Sequence, residues 1–227
     1  MLSNGFMKYL QNHIRILNFL KCFPYEFDPQ TERIVVTGNT FKRKFSIIIH
    51  SLEFVYLFFS FNVLYKVWSN ACIGMAAEGG MIVIVILLMM LWSVDVKPNL
   101  QAISVVNSSL KFEEKFGDIN YKKSRTDLLL EFFMVLTAIV DMATSLINLT
   151  RAIVDHCAPP FLGSYFLACP LCTGPNPATN PITWIPMLVA DFYFIVCIMH
   201  KGFFYPVHIV FATTGRMVDY VEIIEKR

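Results

Sequence analysis

Residues 81–92 read MIVIVILLMMLW, an unbroken apolar stretch without a charged or amide side chain. With their neighbours they form an apolar run over residues 73–94, and a helix needs about 20 such residues to cross a bilayer. Further runs of this kind occupy residues 45–65, 128–149 and 182–200. One run alone could be a buried helix of a soluble protein, but four in one chain indicate membrane insertion. We therefore predict an all-α membrane helix bundle with four transmembrane helices.

The composition favours the same class of protein. Hydrophobic residues make up 56% of the 227 residues and charged residues 16%, whereas soluble domains have about 45–50% and about 25%. These values exclude a disordered chain, a nucleic-acid-binding arm and most soluble enzymes. The sequence also contains no Gly-rich phosphate loop, nucleophile elbow or metalloprotease helix. We expect no enzymatic activity, no cofactor and no nucleic-acid partner.

The basic residues predict the orientation. Seven of the 19 precede the first run, six lie between the second and third, and four follow the last, which leaves only Lys66 and Arg151. Because basic residues are retained on the cytoplasmic side, both termini should be cytoplasmic in a multi-pass plasma-membrane protein. Residues 1–44 are then a cytoplasmic N-terminal segment, residues 150–181 an outer loop, and residues 201–227 a cytoplasmic extension.

Two cytoplasmic segments are expected to extend these helices. Residues 105–116 carry apolar side chains at helical spacing beside charged ones, which predicts a helix that continues spans two and three into the cytosol. Residues 203–214 are apolar but too short to cross alone. We expect them to continue span four or to lie at the interface, bent at Pro206.

The outer loop is rich in proline and cysteine. Seven of the 11 prolines lie between positions 159 and 186, which favours an irregular, partly rigid loop. Its candidate metal or disulfide residues are His156, Cys157, Cys169 and Cys172. Cys₃His is a zinc ligand set, but thiols outside the cytosol tend to oxidise. A disulfide from Cys157 to Cys169 or Cys172 is therefore favoured over free thiols or a metal, and Cys72 at the same face is another possible partner.

Polar side chains recur at helical spacing inside the spans. They are Ser46, His50, Glu53 and Ser60 in span one, Thr137, Asp141, Ser145 and Asn148 in span three, and Asp191 in span four. A carboxylate at mid-span costs about 2.5–3.5 kcal/mol, so these faces should point into a bundle, a cavity or water. The polar side chains on these faces can form hydrogen bonds between helices, or they can line a path for a ligand or an ion. Asp141 and Asp191 are the best candidates for the second role, and His50 can pair locally with Glu53.

Two segments carry a resemblance to a known family. Pro24-Tyr25-Glu26-Phe27-Asp28 resembles the Pro-x-x-Trp/Phe-Asp segment that precedes the first span of arthropod, springtail-like, gustatory and odorant receptors. The stretch from Asn107 to Phe116 is similar to the Asn-x-x-Leu-x-Phe/Tyr-Glu-x-Lys segment after their second span. The predicted cytoplasmic N-terminus agrees with this family.

The resemblance implies a chemosensory receptor in contact with membrane lipid, with a small tastant or odorant as its ligand. The family forms tetrameric, ligand-gated cation channels of seven spans, whose last span lines the pore. This chain resembles the first four spans, so we expect an N-terminal portion, truncated before the pore helix, with other receptor subunits as partners in a homo- or hetero-tetramer. The family's pocket lies in the outer half of the bundle. The ligand-pocket candidates are Asp141, Ser145, Asn148 and Asp191.

Two other classes share some of these features. A four-span scaffold of the tetraspanin type also has both termini inside and a long second outer loop, but its usual Cys-Cys-Gly is missing here. A small transporter could use Glu53, Asp141 and Asp191 as proton or cation relays. No inverted repeat is visible between the two pairs of spans, which disfavours the transporter.

Overall fold

Long helices dominate the structure, a computed structural model that describes residues 4–93, 100–116, 125–167, 169, 180–207 and 221. In chain order the elements are α1 (Asn4–Phe19), β1 (Tyr25–Asp28), β2 (Arg33–Val36), α2 (Thr40–Ser69), α3 (Ile73–Trp92), α4 (Leu100–Phe116), α5 (Arg125–Val154), α6 (Leu162–Phe166) and α7 (Pro181–Phe204). Among these described elements, α2, α3, α5 and α7 are long and apolar enough to cross a membrane.

The outer surface of these four helices is apolar. Phe58, Phe132 and Ile147 are each more than 60% exposed although they lie in the middle of long helices. Soluble monomers rarely expose large contiguous apolar surfaces, whereas lipid-facing side chains are of this kind. The prediction of an all-α membrane helix bundle is therefore confirmed.

Three of the four helices extend beyond the predicted apolar runs, whereas α3 ends two residues inside its predicted run of 73–94. Residues 45–65 lie within α2, which begins five residues earlier at Thr40. The side-chain oxygen of Asn39 accepts the backbone N–H of Phe41 and of Lys42, at 3.0 and 3.3 Å, and so caps the helix start. A helix ends where a cap or a turn ends it, and not where its apolar residues end, which explains the difference.

α7 is the central helix of the bundle. It packs against α2, α3 and α5, and also against the shorter α1 and α6. A Cβ added at Gly202 would lie 2.7 Å from Cβ and 2.9 Å from Cα of Met89, so only glycine allows this approach of α7 to α3. We call the end of the bundle where α1 packs, α2 begins and α7 ends the α1 end; the opposite end, which carries α6, is the loop end.

The N-terminal segment folds against the α1 end. α1 buries Leu10, Ile14 and Leu17 and contacts β1, α5 and α7. β1 and β2 pair antiparallel, with Tyr25 opposite Val36. Glu26 ties this hairpin to the start of α2, because its Oε1 lies 2.6 Å from Lys42 Nζ. Hydrogen bonds from Lys42 and from Thr37 lower the pKa of Glu26.

Residues 105–116 are helical, as predicted, but they do not continue span two. Residues 117–124, which connect them to span three, lie outside the described residues. α3 ends at Trp92, where the backbone N–H of Ser93 donates to the carbonyls of Met89 and Met90. α4 is a separate helix that packs on β2. There the side-chain oxygen of Asn107 accepts the N–H of Ile34 at 3.0 Å, and its amide donates to the Ile34 carbonyl at 2.8 Å. A strand edge thus holds α4 in place.

Residues 205–207, which follow α7, continue span four. After Phe204 a single π-helical turn runs over residues 205–207, so the fourth apolar stretch reaches from Pro181 to Val207. This agrees with one of the two expectations for residues 203–214 as far as Val207. The remainder of that segment lies outside the described residues.

Candidate functional site

Two consecutive residues of α7, at the α1 end, each contact a buried carboxylate of another helix. His200 and Lys201 are 6% and 4% exposed, and they point to different neighbours. His200 contacts Asp141 of α5, and Lys201 contacts Glu53 of α2. Since neighbouring residues on a helix point about 100° apart, one helix can hold two separate polar clusters.

The first cluster joins α2 to α7 around Glu53, which has no exposed surface. Its Oε2 is in direct contact with Lys201 Nζ and lies 3.1 Å from His50 Nδ1. Lys201 Nζ also lies 3.3 Å from His50 Nδ1. The cluster thus places two bases at one oxygen of a buried carboxylate, which offsets part of the cost of removing it from water.

The second cluster joins α1, α5 and α7. Asp141 Oδ2 is in direct contact with His200 Nδ1. The Nε2–H of His13, on α1, donates to the backbone carbonyl of His200 at 3.0 Å, and the two imidazole rings lie 5.5 Å apart. Within the described part of the chain, Asp141 Oδ1 is buried without a hydrogen-bond partner.

His13 is a neutral member of this cluster. Burial, together with the nearby His200, lowers its pKa from 6.5 to about 3, because a charged imidazolium loses its hydration there. His13 therefore donates its hydrogen bond to the His200 carbonyl without carrying a charge at neutral pH.

A cavity of about 230 Å³ lies beside the second cluster, between α1, α5 and the end of α7. Its polar lining residues are Tyr9, Asn12, His13, Thr137, Asp141 and His200. The remaining walls are apolar and include Ile16, Met134 and Phe203. A mostly apolar cavity with a few polar groups is the usual form of a small-molecule site.

The structure does not bring the four predicted pocket residues together. Asp141 lines the cavity at the α1 end. Ser145 and Asn148 are buried one and two turns further along α5, where the Asn148 amide donates to the Thr144 carbonyl at 2.9 Å. Neither of them lines this cavity.

Asp191 lies at the loop end. The backbone N–H of Leu162, the first residue of α6, donates to its Oδ1 and Oδ2 at 3.1 and 3.2 Å. The carboxylate is 3% exposed and connects α6 to α7. Its described contacts hold the fold together.

The polar faces themselves point inward, as their helical spacing predicts. Ser46, His50, Glu53 and Ser60 of α2 are buried, and so are Asp141, Ser145 and Asn148 of α5. Thr137 is half-buried. His50 and Glu53 contact each other, with Lys201 as an additional partner that the sequence interpretation had counted among the cytoplasmic basic residues.

The segment between α5 and α7 contains a disulfide between Cys157 and Cys169, one of the pairings that the sequence left open. Cys72 is also disulfide-bonded, and Cys172 lies outside the described residues. The His156 ring packs on Trp184 with 4.6 Å between centroids. Among the described residues, no group of three or more His, Cys, Asp or Glu could hold a metal ion.

Sequence reasoning missed His13, His200 and Lys201. One signal was present: Glu53 and Asp141 both lie inside apolar runs, and a buried carboxylate requires a base from another helix. Which helix supplies it depends on packing, which the sequence alone does not give.

The fold and these clusters together define an integral membrane protein, a helical bundle with buried carboxylate–base contacts. Comparison with protein-family models, with curated proteins and with solved structures finds no match for this chain.

Proposed function

We propose that the chain is a chemoreceptor-like membrane protein that resembles the N-terminal part of an arthropod gustatory or odorant receptor. In this proposal it lies in the plasma membrane with both ends cytoplasmic, and it binds a small molecule as part of a ligand-gated cation channel. Its partners are other receptor subunits. The 17 basic residues on one side of the predicted topology, against two on the other, support the orientation.

One observation carries the proposal: the two segments on which the resemblance rests come together in space. Residues 25–28 of the first segment form β1, which pairs with β2. Asn107, which opens the second segment, holds α4 to β2 through both of its hydrogen bonds to Ile34. Both segments thus contact β2, the second through Ile34 and Asn107, which are 73 residues apart. They belong to one assembly at the α1 end, as expected if both serve one structural role in a receptor family.

The cavity beside Asp141 supports the ligand-binding part of the proposal. It lies between α1 and the spanning helices α5 and α7, so a bound molecule would contact both the N-terminal segment and the bundle. Occupation of such a site favours whichever arrangement of these elements binds the ligand better.

Co-expression with a full-length arthropod chemoreceptor subunit tests the proposal. Ligand-evoked cation current is recorded against a panel of tastants and odorants, with and without this chain. We expect the chain to change which ligands evoke current. Asn107→Leu should remove this effect, because it deletes both hydrogen bonds to Ile34.

Asn62→Leu is the matched control for that experiment. Asn62 is half-buried on α2, and its amide donates to the Phe58 carbonyl of the same helix at 2.8 Å. The control should behave like the unsubstituted chain. Currents that are identical with and without the chain would contradict the proposal.

A small transporter is the second candidate function, favoured by the two carboxylate–base contacts at His200 and Lys201. Intramembrane carboxylates paired with histidine or lysine occur in proton and cation relays. Proteoliposomes that enclose a pH-sensitive dye would report proton movement driven by a membrane potential, and Asp141→Asn should abolish it. Equal flux in the wild type, in this variant and in empty liposomes would remove this candidate.

A further inference from the structure

We infer that the cavity between α1, α5 and α7 binds a small amine in its protonated form, with an apolar body, beside the carboxylate of Asp141, which lines it. The inference names the ligand class of the proposed receptor and rests on that proposal for the premise that a small molecule is bound. It concerns the α1 end of the bundle, and not the loop end where the resemblance places the pocket.

The unpaired carboxylate oxygen is the first argument. Asp141 is 2% exposed, and its Oδ2 contacts His200. Its Oδ1 is buried and has no hydrogen-bond partner among the described residues. A buried acceptor without a donor is costly, and a charged acceptor more so. A ligand that places an ammonium group beside this carboxylate would offset the part of this cost that comes from its charge.

The charges around the cavity are the second argument. The described lining contains one carboxylate, no lysine and no arginine. His13 lines the cavity from α1 and is neutral, because burial lowers its pKa to about 3. His200 faces the carboxylate from α7. An anionic ligand would meet the Asp141 carboxylate, whereas an ammonium group would offset its charge.

Size and wall chemistry narrow the ligand class. An engineered cavity of about 150 Å³ holds benzene, so 230 Å³ corresponds to about nine non-hydrogen atoms by the same proportion. The rings of Tyr9 and Phe203 line the cavity together with Ile16 and Met134. Aromatic faces attract ammonium groups, and the apolar side chains accommodate a hydrocarbon body. An arylalkylamine has this size and chemistry.

Direct binding to the full chain in lipid nanodiscs tests the inference. The probes are 2-phenylethylamine, its neutral isostere 2-phenylethanol and the anion phenylacetate. We expect the amine to bind on the order of 30-fold more tightly than the alcohol, which corresponds to one charged hydrogen bond, and the anion to bind most weakly. This comparison needs no substitution and so does not depend on whether a variant folds.

Two substitutions locate the site. Asp141→Asn should reduce amine affinity on the order of 30-fold and leave alcohol affinity nearly unchanged. Ala138→Phe, which fills the cavity from α5, should weaken binding of both probes. Glu32→Gln, at an exposed residue of the hairpin turn, is the control carboxylate and should have no effect.

Each outcome decides the inference. Alcohol binding as tight as amine binding, amine affinity unchanged in Asp141→Asn, or no binding of any probe at millimolar concentration would overturn it. Alcohol binding that Ala138→Phe weakens, without preference for the amine, would overturn the ligand class and leave the proposed function intact. Selective amine binding without any effect on co-expressed receptor current would support the inference and contradict the proposed function.

Discussion

Glu53 and Lys201 show how single residues adapt this chain to a bilayer. Glu53 has no exposed surface, and Lys201 is 4% exposed, yet they are in direct contact. The desolvation cost of such a pair can equal its attraction, so the pair is weak evidence of net stability. Removal of only one partner is strongly destabilising, because it leaves an uncompensated charge inside the bundle.

We therefore predict that Lys201→Met lowers the free energy of unfolding in detergent by about 3–5 kcal/mol. The double variant Glu53→Gln with Lys201→Met should recover most of that loss, because no charge then remains unpaired. Lys44→Met, at an exposed position of α2, is the control and should have little effect. A double variant as unstable as the single one would refute the pairing.

His13 predicts a dependence of stability on pH. An unfolded histidine has a pKa of 6.5, but burial and the nearby His200 lower that of His13 to about 3. Between these values the unfolded chain binds a proton that the folded chain does not, so stability falls as the pH falls. The decrease should begin near pH 6.5 and reach at most about 1.4 kcal/mol per pH unit.

His13→Gln isolates this contribution. Glutamine keeps an N–H donor for the His200 carbonyl and does not titrate, so the difference between the two unfolding profiles should disappear above pH 6.5. The measurement is the free energy of unfolding in detergent, taken at pH values from about 3 to above 6.5. Identical profiles at every pH would contradict the burial of a neutral His13.

At the residue scale, the sequence predicts which polar side chains are buried but not which side chains they contact. The helical spacing of His50, Glu53 and Asp141 is visible in the sequence, and these residues do face inward. Lys201 and His200 lie at the end of an apolar run, where the sequence suggests a cytoplasmic boundary. They are buried because α1 and the hairpin cover that end of the bundle.

At the scale of elements, the close approach of α7 to α3 depends on one glycine. A Cβ at Gly202 would lie within 3 Å of Met89 Cα and Cβ, atoms that cannot move without the backbone. We predict that Gly202→Ala destabilises the bundle by about 1–3 kcal/mol, as overpacking does elsewhere. Thermal unfolding in detergent measures the change.

Gly74→Ala is the matched control for that prediction. Gly74 lies in α3, and a Cβ there would meet nothing within 4 Å. Alanine should be neutral there or stabilise by up to about 1 kcal/mol through helix propensity. Equal effects of the two substitutions would show that helix propensity, and not contact with α3, determines the outcome at Gly202.

The four long helices could be predicted from sequence, because an apolar run of sufficient length has few alternatives in a membrane protein. The hairpin could not. β1 and β2 have four residues each, too short to be stable alone, and contacts from Asn107 and Lys42 hold them. Such elements depend on tertiary contacts, which local sequence patterns do not show.

For the molecule as a whole, large apolar side chains of the described residues lie on the exterior, whereas charged side chains lie in an otherwise apolar interior. Large apolar residues such as Trp68 and Leu91 are more than half exposed, whereas Glu53, Asp141 and Asp191 are nearly inaccessible. Water would favour the reverse arrangement, and lipid favours this one. The candidate cavity and both ionic clusters depend on the bundle remaining in a bilayer.

Side-specific labelling of single introduced cysteines most directly tests the proposed membrane arrangement, in which both ends of the chain are cytoplasmic. Glu32→Cys lies in the hairpin turn, and Asn180→Cys lies just before α7; both positions are exposed. A membrane-impermeant maleimide applied to intact cells should label Asn180→Cys above the background of the unsubstituted chain, and Glu32→Cys only after permeabilisation. Labelling of both positions in intact cells, or recovery of the chain in a salt-washed aqueous supernatant, would contradict the account.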